Sequence, residues 1–235
     1  MKVNSPGRRR TVQLSRVAAD EAERGKVLGD IGSRLRKGRT DVGISVRELA
    51  RKAGVSASLV SQIETGKARP SVATLYALVQ HLNLTVDELF EATPAEAPTP
   101  AEPAPATAPP AGFAVMRKLI SAPLVQHAES RGTLKLEGGI TWERLTPCDV
   151  PGVDFLKITY DVGGASCPDG LRQTHNGHEF GYLLSGRLCV TVGFDTTEIG
   201  PGDSVYFDSS TPHRLYNPGD EPAVGIWMVH APFAE

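Results

Sequence analysis

The 235-residue sequence predicts a multidomain α + β protein, with a five-helix bundle first and a β-barrel second. Apolar residues recur at helical spacing from about residue 29 to residue 90, whereas short β-rich runs separated by turn residues fill residues 113–235. Between them, residues 91–112 are almost entirely Ala, Pro, Thr and Glu. This segment has too few large apolar side chains to offset the entropy cost of ordering the backbone. The predicted divisions are a basic arm at 1–25, a helical domain at 26–90, a linker at 91–112 and a β domain at 113–235.

Start and stop signals support the helical pattern of the first domain. Ser45 and Ser56 stand where N-caps are expected, and Gly54 and Gly66 stand where the preceding helices end. Pro70-Ser71 opens the fourth helix. The apolar residues of the five predicted helices lie at Ile31 and Leu35, at Val46 to Ala53, at Leu59 to Ile63, at Leu75 to Leu82, and at Val86 to Phe90.

The two parts of the chain carry opposite charge. Residues 1–90 hold 16 Lys and Arg against 9 Asp and Glu, a net of +7, and the remaining residues hold 9 against 18, a net of -9. A basic module fused to an acidic one is typical of proteins that bind a polyanion, although a solvated basic surface gives the same imbalance. The charge distribution favours a nucleic acid as partner.

Cysteine usage and hydropathy narrow the class of protein. The three cysteines, Cys148, Cys167 and Cys189, form neither an even set nor a C-x-x-C pair, so neither a disulfide framework nor a zinc ribbon is indicated. The basic start at 8–10 is not followed by the apolar stretch of a signal peptide, and no run of about 18 apolar residues occurs. We therefore expect a cytoplasmic protein without a membrane partner.

The segment from Ile44 to Gly66 resembles the helix-turn-helix of the XRE (Cro/C1-type) family. Ala50 is small where two helices cross, and Gly54 tolerates the left-handed conformation of the turn between them. Val60 and Ile63 seat the second helix on the core. The resemblance implies a lambda-repressor-like domain that binds duplex DNA.

The recognition helix is predicted from Ala57 to about Thr65. Gln62 offers the donor and acceptor pair that matches adenine in the major groove, and basic residues nearby suit phosphate. Val46 stands where many family members carry Gln, which removes one common contact. The alternative is that these side chains only solvate a helical bundle. The predicted DNA-binding residues are Ser45, Arg47, Ser56, Ala57, Ser58, Ser61, Gln62, Lys67 and Arg69.

Two later stretches, residues 173–186 and 200–217, resemble the paired motifs of the cupin superfamily, whose fold is a double-stranded β-helix or jelly-roll barrel. In that family the first motif supplies His-x-His and a Glu, and the second supplies one His. The resemblance carries over to His175, Glu179 and His213, with Gln173 in place of the first His. The predicted ligand-binding residues are Gln173, His175, Glu179, Tyr182 and His213.

Two interpretations of this pocket stay open. Imidazole and carboxylate bind Fe, Mn, Ni or Zn well, so His175, Glu179 and His213 are candidate ligands of a divalent metal. The same three residues also suit a metal-free, hydrogen-bonded pocket. His178 lies three residues after His175 and is expected to point to the opposite face of a strand.

The leading functional hypothesis is a sequence-specific transcription regulator rather than an enzyme. Its cupin domain would sense a small-molecule effector, and a homodimer would bind a pseudo-palindromic operator. The rival hypothesis is a mononuclear metal-dependent cupin enzyme, of the epoxidase or oxygenase type, in which the helical domain is accessory. Hydroxypropylphosphonate epoxidase is similar in layout. The basic first domain and its polar recognition helix favour DNA binding.

Overall fold

A computed structural model describes residues 31–82, 84–90 and 124–231. The predicted basic arm at 1–25 and the predicted linker at 91–112 lie outside these ranges. Among the described helices, none has the length and apolar character needed to cross a bilayer.

Four α-helices form the first domain within the described residues. They are α1, described over 31–41, α2 (Val46–Lys52), α3 (Ala57–Glu64) and α4 (Val72–Val79). The side chains of Ser45, Ser56 and Ser71 each accept a hydrogen bond from the backbone N–H three residues ahead, at 3.1, 3.1 and 3.2 Å. The predicted N-caps at Ser45 and Ser56 are confirmed, because each serine satisfies an N–H that has no partner within its helix.

The predicted fifth helix is wrong, because residues Asp87–Leu89 form a single 3-10 turn. The Glu88 carboxylate folds back to accept hydrogen bonds from the Thr85 backbone N–H at 2.7 Å and the Thr85 hydroxyl at 3.2 Å. Phe90 is extended, and the Arg34 guanidinium donates to the carbonyls of Glu88 and Phe90, so the last carbonyls of the turn bond to a side chain instead of continuing a helix. Leu89 and Phe90 are nevertheless buried, as their apolar pattern predicted.

A buried ion pair joins α1 to α3. Arg39 donates two hydrogen bonds to the Glu64 carboxylate, at 2.6 and 2.9 Å, and a third to the Ile44 carbonyl. Gly32 lies against the Ile63 carbonyl, where an added Cβ has no room, so α1 and α3 approach closely. Both features fix the orientation of α3 on the bundle.

Over residues 124–231 the structure shows nine antiparallel strands. They are β1 (Thr133–Leu136), β2 (Ile140–Arg144), β3 (Val153–Tyr160), β4 (His178–Ser185), β5 (Leu188–Val192), β6 (Asp195–Ile199), β7 (Ser204–Asp208), β8 (His213–Tyr216) and β9 (Ala223–His230). They form two sheets, the larger with the order β1-β2-β3-β9-β4-β7 and the smaller with the order β6-β5-β8.

The predicted jelly-roll barrel is not closed, since no ladder of hydrogen bonds joins the two sheets in the part of the chain that the structure describes. The chain crosses from β6 in the small sheet to β7 in the large sheet through a turn in which Gly202 has a φ of +94°. The strands of that connection therefore pair with β5 and β4 instead of with each other. The sheets face one another across a shared apolar core, as in a sandwich.

The helical domain packs directly against the β domain, and the buried apolar residues of both form one continuous cluster. The backbone N–H of Glu137 donates to the Pro70 carbonyl at 3.0 Å. Arg144 and Asp87 form an ion pair across the junction at 3.4 Å, with the Asp87 side chain 1% exposed. The position of α4 is therefore set by both domains.

Replacement of Arg39 by Met tests the link between α1 and α3. We expect Arg39→Met to lower the free energy of unfolding by about 1 to 3 kcal/mol, because it leaves the buried Glu64 carboxylate without its partner. Lys37→Met is the matched control, since its pair with Asp41 is solvent-exposed and should contribute almost nothing. Urea denaturation followed by helical circular dichroism measures both variants. Equal losses would contradict the assignment.

Candidate functional site

The exposed face of α3 is polar. Ser58, Ser61 and Gln62 are solvent-exposed, whereas Val60 and Ile63 on the opposite face are buried in the bundle. The structure therefore presents the three polar side chains to the outside, on the helix expected to enter a DNA groove.

The other predicted DNA-binding residues surround this face. Arg47 and Lys67 are exposed, Ala57 and Arg69 are half-buried, and the hydroxyls of Ser45 and Ser56 are engaged as helix caps. The N-terminus of a helix favours an anion, so the first turn of α3 suits a contact with phosphate.

Three of the predicted pocket residues converge inside the β domain. The Nε2 atoms of His175 and His213 lie 2.9 and 3.1 Å from Glu179 Oε1, and all three side chains are at least 94% buried. His175 precedes β4, Glu179 lies on β4 and His213 begins β8, so the two sheets bring them together. We call these three residues the His/Glu/His trio.

Backbone carbonyls orient both histidines of the trio. The Nδ1–H of His175 donates to the Asn176 carbonyl at 3.2 Å, and that of His213 donates to the Thr211 carbonyl at 2.9 Å. With Nδ1 engaged in this way, each ring turns its Nε2 toward Glu179, which is how histidines that hold a metal are usually oriented.

The Glu179 carboxylate is held from both ends. Ser209 Oγ donates to Oε1 at 3.2 Å and Trp227 Nε1 donates to Oε2 at 2.6 Å. The Trp227 ring lies over Gly181, where an added Cβ would collide with it. Burial raises the pKa of Glu179, but the contacts with His175 and His213 outweigh burial and lower the pKa to about 2. The carboxyl group is therefore ionised at neutral pH.

The other pocket predictions have mixed outcomes. Gln173 is buried beside the trio, with its amide nitrogen 3.0 Å from His213 Nε2. The structure does not bring Tyr182 to this pocket. Tyr182 lies three residues after Glu179 on β4, so its side chain points to the opposite face of the sheet, where it is 47% exposed. His178 also points outward, as predicted, and stacks on Tyr206.

Sequence reasoning missed Tyr76, which reaches the pocket from α4. Its ring stacks on His175 with centroids 3.8 Å apart and planes 12° apart, and it tilts against Trp142 at 6.0 Å. Nothing in the local pattern of α4 distinguishes this tyrosine from a core residue of the helical bundle, because its partner lies almost a hundred residues ahead. Ser209 and Trp227 were missed as carboxylate partners for the same reason.

The trio fits a divalent cation. Its candidate ligand atoms lie within 4.8 Å of one another, and the buried His175 Nε2 has no hydrogen-bond partner within the described chain. Two imidazole nitrogens and a carboxylate oxygen that face one point are a ligand set that divalent metals prefer, and the ion would supply positive charge between them. His175, Glu179 and His213 would hold the ion.

Comparisons with known proteins agree with both halves of this description. Residues 35–89 match the helix-turn-helix family model and residues 156–229 match the cupin domain model. The chain therefore carries a helix-turn-helix domain followed by a cupin domain.

Individual proteins are similar to this chain over most of its length. The HTH-type transcriptional regulator PuuR of Escherichia coli strain K12 is 25% identical over 186 residues, which is 79% of this chain and 86% of PuuR. The fold resembles that of an HTH_3 family transcriptional regulator from Vibrio cholerae, with a TM-score of 0.60, 20% identity, and coverage of 89% of this chain and 99% of that one. Hydroxypropylphosphonic acid epoxidase from S. wedmorenis is 16% identical with a TM-score of 0.39, covers 86% and 97% of the two chains, and is too distant to indicate a shared reaction.

Cobalt titration tests the metal-binding chemistry of the trio. We expect chelator-treated protein to bind one Co²⁺ per chain, and His213→Ala to weaken binding at least about a hundredfold, because a two-ligand site holds a metal poorly. His178→Ala is the matched control and should stay within about twofold, since that ring lies on the outer face. Visible absorption of Co²⁺ measures both. Binding that is insensitive to His213→Ala would contradict the site.

Proposed function

We propose that the protein is a cytoplasmic transcription regulator that binds duplex DNA through α3 and senses a small-molecule effector through its cupin domain. The observation that carries this proposal is the exposed polar face of α3, with Ser58, Ser61 and Gln62 on a helix whose opposite face is buried in the bundle. The basic balance of residues 1–90 supplies the attraction for phosphate.

The roles of the surface residues follow from their chemistry. Gln62 offers an amide donor and acceptor to a base edge, which suits adenine, and Ser58 and Ser61 contribute shorter, less selective hydrogen bonds. Arg47, Lys67 and the N-terminal turn of α3 bind phosphate and set the position of the protein without reading sequence.

A homodimer on a pseudo-palindromic operator completes the proposal, since one recognition helix gives limited affinity. The outer face of the larger sheet supports such a dimer. Phe155, Met228, Phe180 and Tyr206 are direct neighbours across β3, β9, β4 and β7, and the three aromatic residues are 36%, 41% and 62% exposed in that order along the row. A solvent-facing side of an antiparallel sheet is usually polar, so this apolar row calls for a partner.

The size of the apolar face suits a second copy of the chain. With Tyr182 and Leu184 on the same side of β4, the exposed aromatic and aliphatic side chains offer about 500 Å², more than half of the roughly 800 Å² per subunit that a stable dimer buries. Such an interface usually has aromatic and Met side chains at its centre and polar residues around them.

Phe180→Asp tests the dimer. We expect the wild-type chain to sediment as a dimer at micromolar concentration and Phe180→Asp to sediment as a monomer, because a buried unpaired carboxylate is costly at the centre of an interface. Phe194→Asp is the matched control, since Phe194 is fully exposed in the turn between β5 and β6. A wild-type monomer, or a dimer in both variants, would contradict this interface.

A metal-dependent enzyme is the second candidate function. The observation that favours it is the trio itself, because two histidines and one carboxylate are the ligand set of many iron oxygenases. The stacked Tyr76 ring argues against it, since it covers His175 where a substrate would approach. Turnover with Fe²⁺ together with no DNA binding would reverse the order of the two candidates.

Gln62→Ala tests the DNA-reading role. We expect it to weaken binding to the preferred duplex by about 1 to 3 kcal/mol and to relax the sequence preference at one position. The duplex is first selected from random sequences by the wild-type protein, and affinity is then measured by gel shift. Gln126→Ala, in the β domain, is the control and should bind like the wild type. Unchanged affinity and preference for Gln62→Ala would count against the assigned role.

A further inference from the structure

The cavity beside the trio is too small for an effector. Its volume is about 20 Å³, and Val72 and Tyr76 of α4 form one of its walls, with Glu179 and Trp227 on the opposite side. A space of this size holds one water-sized species. While α4 stays packed against the β domain, a small organic molecule therefore has to bind elsewhere.

A second cavity of about 290 Å³ lies at the junction of the two domains, and we call it the junction cavity. Tyr76 and Val79 of α4 line one side, and Val153 of β3 and Val229 of β9 line the other. The stacked pair of Tyr76 and His175 borders both this cavity and the trio. Its size and largely apolar lining are those of a site for a small organic molecule.

Two carboxyl groups give the junction cavity its polar character. Asp87 is 2% exposed; its Oδ2 contacts Arg144 at 3.4 Å, while its Oδ1 accepts no hydrogen bond from the described residues. Asp154 lines the same cavity. Burial, together with the charges of Asp87, Asp149 and Glu179, raises the pKa of Asp154 to about 7. Asp87 and Asp154 thus line one cavity whose lining, over the described residues, includes no Lys or Arg, so a positive charge placed there would be favoured.

We propose that the effector binds in the junction cavity, and that it is a small organic cation whose apolar body contacts Tyr76 and Val79 and whose charged head faces Asp154 and Asp87. The proposal rests on the function proposed above and gives the effector a place and a chemical class. A cation would be attracted to the Asp154 and Asp87 carboxyl groups, whereas an anion would meet two acidic side chains in a partly apolar space.

The position of this cavity explains how a ligand reaches the DNA-binding helices. Both domains supply its walls, so a bound molecule changes how α4 packs on the β domain, and α3 moves with α4 because both are anchored in one helical core. In a dimer, that shift alters the spacing between two recognition helices.

A matched set of probes tests the charge preference. Benzylammonium, benzyl alcohol and benzoate have the same ring and nearly the same size but different charge, and their binding to the full chain is measured at millimolar concentrations by saturation-transfer NMR near neutral pH. We expect benzylammonium to bind at least about tenfold more tightly than benzoate, a difference of about 1.4 kcal/mol, with benzyl alcohol between them. Absence of binding by all three, or equal binding, would overturn the proposal.

Two variants locate the probe. Asp154→Asn should abolish the preference for benzylammonium, and Val153→Phe should weaken all three probes by filling the cavity from β3. Asp169→Asn removes an exposed carboxylate outside the cavity and should change nothing. Binding that survives both Asp154→Asn and Val153→Phe would place the site elsewhere and overturn the proposal.

Stability provides an independent readout for Asp154→Asn. Because the folded-state pKa of Asp154 lies above its unfolded value, the folded protein binds the proton more tightly, and stability falls as pH rises from about 4 to about 7. Asp154→Asn should therefore raise the Tm at about pH 7.5 and flatten its pH dependence, which also shows that the variant folds. A lower Tm would indicate that Asp154 has a stabilising partner and would contradict its assignment as a ligand group.

The outcomes separate this inference from the proposed function. Selective DNA binding by the wild type, together with no charge preference among the probes, leaves the regulator standing and overturns only the effector site. If the folded wild-type protein shows neither selective DNA binding nor a charge preference among the probes, the function on which the inference rests is itself contradicted.

Discussion

Helix α4 is shared by two cores, and the rest of the structure depends on that arrangement. Leu75 and Leu78 are buried in the helical bundle, while Val72 and Tyr76 face the β domain and close the space beside the trio. The stack of Tyr76 on His175 therefore links the helix-turn-helix domain to the polar centre of the cupin domain. A change at either end has a direct physical route to the other.

The polar centre is itself fixed by packing that leaves little freedom. Glu179 remains ionised in a buried site because two imidazoles, Ser209 and Trp227 surround its oxygens. Trp227 reaches the carboxylate only because residue 181 is glycine. A carboxylate with so many hydrogen-bond partners has little freedom to move. It therefore suits a rigid site, which holds a cation or forms one wall of a cavity, better than a site that changes shape around substrates.

Local patterns in the sequence predicted the elements that local physics determines. The caps at Ser45 and Ser56, the helix positions through α4, and the convergence of His175, Glu179 and His213 all follow from short-range rules or from motif resemblance. Tyr182 was misplaced because nearness in sequence outweighed the two-residue period of a strand. The remaining features depend on long-range contacts, which periodicity does not encode. Arg34 ends the chain of the first domain in a 3-10 turn instead of a fifth helix, the pairing of the two sheets leaves the sandwich open, and Tyr76 meets its partner across the junction of the two domains.

The central claim is that the two domains communicate through α4. Hydrogen exchange of the full-length Tyr76→Ala variant, compared with the wild type, tests it most directly. If the claim holds, amide exchange speeds up both in α4 and in the segment from His175 to Glu179, while Phe194→Ala, an aromatic truncation in the exposed turn between β5 and β6, leaves both unchanged. Faster exchange confined to α4, with the His175 segment as protected as in the wild type, would show that the stack does not couple the domains.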